Sequence, residues 1–205
     1  GVRRAMAATM SQSHQTVVPA TITDDADIQA WPEKTDITYR VIRAIVKAAQ
    51  LEPGLNAHFH AEQLERHVFH SVHLGLALDS EDGLFVPVIR QADKLSPDEI
   101  RRAIQQFKQQ IQQRAIEPEN LTGSTIQLSN FGMIAGRYAN PVIAPPITAI
   151  IGTGKIRREV VALDEASIGI HRIMPISLTF DHRAVTGGEA ARFLKALLDD
   201  LALVQ

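Results

Sequence analysis

Phe180-Asp181-His182-Arg183-Ala184-Val185-Thr186-Gly187-Gly188 joins an apolar stretch to an amphipathic one. Upstream, Ile176, Leu178, Phe180 and His182 recur at period two, so the buried face of a strand ends in an imidazole rather than a hydrocarbon. Downstream, Ala190, Leu194, Leu197, Leu198 and Leu201 recur at helical spacing. His182 therefore stands where a buried strand turns into a helix, held by rigid elements near an edge that substrate can reach. A lone histidine ending an apolar strand is more often a hydrogen-bonded structural residue than a base, and periodicity alone does not separate the two.

Working outward, Val2, Met6 and Met10 at four-residue spacing predict a short first helix, followed by an extended segment over 17–23. A second helix is expected over 38–51, with Val41, Ile42, Ile45, Val46 and Ala49 buried and Pro53-Gly54 ending it. Strands near 73–78 and 84–89 flank Ser80-Glu81-Asp82-Gly83, whose Asp-Gly pair marks a hairpin turn. Ser96-Pro97-Asp98-Glu99 opens a third helix as N-cap, first-turn proline and capping-box glutamate, with Leu95 and Ile100 as its hydrophobic staple. Ile104, Phe107 and Ile111 continue its stripe, and its glutamine-rich outer face reads as solvated surface. Strands over 125–129, 148–152, 159–163 and 168–180 precede the last helix. Mixed strands and helices imply one α/β sandwich domain over 1–205, without internal repeats.

Composition narrows the function. A chain of 205 residues with 45% hydrophobic content can bury a core of its own. The net charge of -2 argues against nucleic acid as the main partner, which calls for a basic face. No membrane partner is expected, because the most hydrophobic run, Val142 to Ile151, is broken by Pro145 and Pro146 and falls short of a span. There are no cysteines, which excludes disulfides and an acyl-cysteine intermediate, so any thiol chemistry must use thiols brought by substrates. No targeting segment is evident, and a chain opening at Gly1 directly in a helix reads as the excised core of a longer protein.

From Arg3 to Leu194 the chain resembles the catalytic domain of the 2-oxoacid dehydrogenase dihydrolipoamide acyltransferases. The resemblance is carried, in order, by Arg3-Arg4-Ala5-Met6-Ala7, Pro53-Gly54-Leu55-Asn56-Ala57, Leu74-Gly75-Leu76-Ala77-Leu78-Asp79, Gly83-Leu84-Phe85-Val86-Pro87-Val88-Ile89, Leu121-Thr122-Gly123-Ser124-Thr125, Ser129-Asn130-Phe131-Gly132, Pro145-Pro146 before Ile150-Ile151-Gly152, and Asp181-His182-Arg183. It implies a chloramphenicol acetyltransferase-like two-layer sandwich with a mixed β-sheet and flanking helices. It also implies transfer of an acyl group between dihydrolipoamide and coenzyme A. His182 matches the family's general base, a role that contributes roughly 10²–10⁴ in rate. Ser129 matches the serine whose hydroxyl bonds the tetrahedral oxyanion, worth roughly 3 kcal/mol in the transition state. Read locally, Ser129-Asn130 before Phe131-Gly132 is also a turn signal.

Thr186 departs from the family pattern, standing where aspartate is usual and asparagine occurs; it offers a hydroxyl to the catalytic set but no charge. Coenzyme A contacts carry over to Asp79, Ser129 and Asn130 and to the backbone around Gly154. The lipoyl group would arrive on a separate domain absent from this chain, as is the subunit-binding domain. The implied partners are two further copies in a homotrimer, with His182 of one chain meeting Ser129 of its neighbour, a larger cubic or dodecahedral core, and the dehydrogenase components of the complex. The implied compartment is the cytoplasm, or the mitochondrial matrix in a eukaryote.

Two alternatives stand beside this reading. Thr186 is compatible with a weakened or inactive scaffold kept for assembly. An acetyltransferase of the chloramphenicol type is disfavoured, because Asp181 rather than a second histidine precedes His182. Gly152-Thr153-Gly154-Lys155-Ile156 is not a phosphate loop, since Ala149 and Ile156 occupy its first glycine and its hydroxyl position. His58 and His60 could share a strand face, but no third ligand has convincing spacing with them, and His67, His70 and His73 cannot be positioned from local sequence; no metal is expected.

Overall fold

The computed structural model describes residues 2–204, so Gly1 and the side chain of Val2, part of the expected first stripe, lie outside the described residues. In chain order the elements are α1 (Val2–Thr16), β1 (Pro19–Asp27), α2 (Ile37–Leu51), β2 (Ala57–His60), β3 (Glu65–Val68), β4 (Leu74–Ser80), β5 (Gly83–Phe85), β6 (Val88–Ile89), α3 (Pro97–Gln112), β7 (Ile126–Asn130), β8 (Ala149–Thr153), β9 (Arg157–Ala162), β10 (Ile168–Asp181) and α4 (Gly187–Leu201). The main sheet runs β1-β10-β8-β7-β4-β5, with β6 on β4 and β9 on β10. β4, β7 and β8 are mutually parallel and β10 is antiparallel to β8, so the sheet is mixed, as expected.

One face of this sheet carries the core. Leu74 and Leu76 of β4, Ile126 and Leu128 of β7, Ile151 of β8 and Ile176, Leu178 and Phe180 of β10 pack on the apolar stripes of α2, α3 and α4. The expected stripe of α2 is buried throughout, and the stripe of α4 includes Phe193, which is fully buried. Asp36 caps α2 by accepting the Tyr39 amide at 3.0 Å. The other face is covered by the loop between β7 and β8, where Ile143 and Ile147 join Val17 and Ile150 in a second, small core.

Several segments differ from expectation for local reasons. The second strand of the first hairpin divides into β5 and β6, because Val86-Pro87 interrupts the ladder and proline has no amide to donate. The hairpin turn is Glu81-Asp82, with Ser80 opposite Gly83, whose φ of 129° no other residue adopts without strain. β1 runs four residues beyond the expected segment because Asp24, Asp25 and Asp27 lie on a well-paired stretch opposite β10. The capping box at Ser96 and Glu99 forms, and Leu95 and Ile100 both pack on the core. α1 is the exception to burial. Met6 is 46% exposed, whereas Ser13 is buried and donates to the Ile143 carbonyl.

Candidate active site

His182 follows the last residue of β10 and is fixed through its backbone, its amide donating to the Val18 carbonyl at 2.8 Å. Its neighbours hold the turn more firmly. Asp181 is 2% exposed, and its carboxylate accepts the Arg183 guanidinium at 2.6 and 2.9 Å and the Arg183 amide at 3.1 Å. That pairing holds the Arg183 guanidinium above its ordinary pKa, the Asp181 hydrogen bond outweighing burial. With Asp181 and Arg183 bonded to each other this fully, His182, which is exposed, stands outside the pair.

A two-stranded ribbon buttresses the same turn. β2 and β3 pair as an antiparallel hairpin that the sequence reading did not find. From one of its faces Phe59 lies under the Arg183 guanidinium, 4.9 Å from ring centre to Cζ, and Arg66 donates to the Ala184 carbonyl at 2.7 Å. Arg66 also pairs with Glu189 of α4 at 2.8 Å. The other face carries His58 and His67, which are directly opposite, and His60. Among the described residues no group of three potential ligands is arranged to hold a metal ion.

His58 is tied to the Ser124 carbonyl at 2.7 Å. Burial pushes its pKa below that of a free imidazole, and the charges of His60 and His67 add to this against the Ser124 bond. His73 is lowered as well, by burial first and then by Arg90. Groups held neutral in the folded chain take up protons on unfolding, so their contribution is complete above the unfolded value of about 6.5 and is lost as pH falls towards their folded values. Calorimetry is expected to give a melting temperature that declines from about pH 7 to about pH 5.5, with a shallower decline in a His58→Gln, His73→Gln variant.

Thr186 is the N-cap of α4. Its hydroxyl accepts the Glu189 amide at 3.2 Å and donates to the Glu189 carboxylate at 2.8 Å, while that carboxylate accepts the Thr186 amide at 2.7 Å. Burial raises the Glu189 pKa, but the Thr186 amide, Arg66 and the Thr186 hydroxyl together hold it below the ordinary glutamate value. The expected catalytic hydroxyl is thus engaged in a capping box, a signal legible in Thr186-Gly187-Gly188-Glu189. Thr186→Ala is expected to lower unfolding free energy in urea by about 1 kcal/mol, and Thr186→Asn by only a few tenths.

Ser129 and Asn130 end β7, next to Gly152 and Thr153 of β8. Asn130 and Gly154 line one cavity of about 240 Å³, so two of the expected coenzyme A contacts converge. The chain backbone is unusually close here: a Cβ on Gly132 would strike the Gly154 carbonyl, and one on Gly154 the Arg137 carbonyl. Ala77 is in register with Ser129, so Asp79 shares the Ser129 face of the sheet two residues on and lines a separate cleft with Lys108 and Arg114.

His182 and Ser129 do not meet within one chain. Ser129 is level with Gly152, and Gly152 with Ser177, whereas His182 lies five residues beyond Ser177. At roughly 3.3 Å per residue this separates them by about 17 Å along the strands, at opposite ends of the sheet. No rotamer change spans that distance.

A mixed sheet backed by helices, with an Asp-His-Arg turn at one end and a serine at the other, defines an acyltransferase fold of the chloramphenicol acetyltransferase class. A chloramphenicol acetyltransferase structure superimposes over 95% of this chain with a TM-score of 0.56 at 14% identity, which speaks for the fold alone. The family described as 2-oxoacid dehydrogenases acyltransferase (catalytic domain) matches residues 1–203, and the chain belongs to that family.

Among its relatives, the dihydrolipoyllysine-residue acetyltransferase component of the acetoin cleaving system of Bacillus subtilis is 37% identical over 96% of this chain. The chain spans 52% of that relative's length. The dihydrolipoamide acetyltransferase of Azotobacter vinelandii, investigated for the catalytic roles of a serine, a histidine and an asparagine, superimposes with a TM-score of 0.90 at 26% identity over 98% of this chain and 88% of its own. The histidine and asparagine in question are four positions apart, as His182 and Thr186 are. The cubic core of a pyruvate dehydrogenase multienzyme complex matches with the same score, identity and coverage.

Proposed function

We propose that this domain transfers an acyl group between dihydrolipoamide and coenzyme A at sites formed between the subunits of a homotrimer. The observation that carries the reading is the separation of His182 from Ser129 within one chain, which a second copy would close. His182 takes the proton of the coenzyme A thiol, and the thiolate attacks the thioester carbonyl of the acyl-dihydrolipoamide. The Ser129 hydroxyl of the neighbouring copy donates to the oxyanion that forms. As the intermediate collapses, the carbon–sulfur bond to dihydrolipoamide breaks and the departing thiolate takes the proton back from His182. The products are acyl coenzyme A and dihydrolipoamide, with no change of oxidation state. Since the chain has no cysteine, both sulfurs belong to substrates.

Asn130 and the Gly154 backbone hold coenzyme A on this reading, and Asp79 would meet it only from the separate cleft that it lines. The family relationship and the cubic core of a relative support trimers that build a larger cubic or dodecahedral core serving lipoyl domains and dehydrogenase components, in the cytoplasm or a mitochondrial matrix. No helix among the described residues is long and apolar enough to cross a membrane. The test is an assay in the reverse direction, with acetyl and branched acyl coenzyme A and free dihydrolipoamide, following released coenzyme A thiol. Turnover by the trimer, absent in any monomer fraction, is expected. An intact trimer inert towards every acyl group would refute the reading.

A further inference from the structure

Thr153 ends β8 and is 2% exposed, yet its hydroxyl has no hydrogen-bond partner among the described residues. A buried hydroxyl without a partner is a liability to folding, and native chains keep few of them without a reason. This one lines the same 240 Å³ cavity as Asn130, at the carboxyl ends of the parallel strands β7 and β8, where open α/β sheets take their ligands.

The walls of the cavity alternate in character. Ile37, Met133, Ile156 and Met174 are apolar, and Lys155 is an exposed cation beside them. A cavity this small is below the usual range for a whole cofactor-sized ligand, so it accommodates part of one. An all-hydrocarbon acyl chain would leave the Thr153 hydroxyl as unpaired as before. A phosphate is better served at Lys155, in contact with water, than at an interior neutral hydroxyl. The group that satisfies both the apolar walls and the interior hydroxyl is an amide set between methylenes.

We propose that Thr153 is a specificity residue whose hydroxyl hydrogen-bonds an amide of the pantetheine arm of coenzyme A. The inference rests on the acyl-transfer reading and adds to it a side chain that recognises the arm. Lys155 then stands where the arm emerges towards the phosphates.

The test is calorimetric binding of coenzyme A and of pantetheine to the trimer, wild type against Thr153→Val and Thr153→Ser, with turnover measured in parallel. Valine removes the hydroxyl at nearly constant volume, so Thr153→Val is expected to melt no lower than wild type. It is expected to bind both ligands about tenfold more weakly, a loss of about 1.4 kcal/mol, while the KM for dihydrolipoamide stays unchanged and Thr153→Ser retains most of the affinity. Thr153→Ala replaces the valine variant if that one fails to fold. Wild-type affinity in the valine or alanine variant would overturn the role of Thr153 and leave the acyl-transfer reading standing. Weakened binding in the variant, with a wild type that binds coenzyme A but turns over no acyl group, would support Thr153 and refute acyl transfer. A wild type that binds neither ligand would overturn both.

Discussion

His182→Ala is expected to lower kcat by roughly 10²–10⁴ while the trimer and its melting temperature stay as they are. On the proposed mechanism the size follows from the loss of the group that makes the thiolate, and the unchanged stability follows from the geometry. The imidazole is exposed, whereas the turn that carries it is held by the buried Asp181 carboxylate, by Arg183 over Phe59 and by the His182 amide on Val18. Removing the ring therefore deletes the base and leaves its support intact. Kinetics with saturating acyl coenzyme A, together with light scattering to verify the trimer, check this. A residual rate within threefold of wild type would show that another group takes the proton.

Ser129→Ala is expected to reduce kcat by roughly 10²–10³, the usual effect of losing one oxyanion donor. The more telling result comes from mixing the two inactive variants. If each site takes His182 from one chain and Ser129 from its neighbour, a chain carrying Ser129→Ala still supplies a good imidazole, and a chain carrying His182→Ala a good hydroxyl. Random assembly of equal amounts into trimers then gives intact sites at roughly a quarter of the positions, so about a quarter of wild-type activity should return. Were both groups drawn from the same chain, every site would lack one of them and mixing would restore nothing. Refolding or co-expression of the two variants, followed by the thiol assay, decides between these outcomes.

Much of this site was legible before any coordinates. Period two running into helical spacing located His182 at a strand-to-helix junction, and the sheet now puts it there. Helix α3 was readable because all its start signals are local: an N-cap, a proline, a glutamate and a staple. The hairpin β2–β3 was not readable. Its strands are four residues each and rich in histidine and charge, Val68 is their one β-branched residue, and the alternation of Ala57-His58-Phe59-His60 is too short to stand out, so tertiary contact decides the pairing. Arg66 was missed for the same reason, since its partners Ala184 and Glu189 are more than a hundred residues away. The Thr186 capping box is different: its four-residue signature, Thr186-Gly187-Gly188-Glu189, is as plain in the sequence as that at Ser96. Thr153 could not have been singled out, because an unpaired hydroxyl is a property of its surroundings and not of its identity.

The ribbon formed by β2 and β3 gives the turn after His182 an anchor of its own. Phe59 and Arg66 reach that turn from outside the main sheet, through one cation–aromatic contact, one carbonyl bond and one ion pair. The aim of the imidazole thus rests on this ribbon as well as on the end of the main sheet. If warming frees Phe59 and Arg66 from the turn before the main sheet melts, the proposed turnover is expected to fall at a lower temperature than the circular-dichroism signal of the sheet.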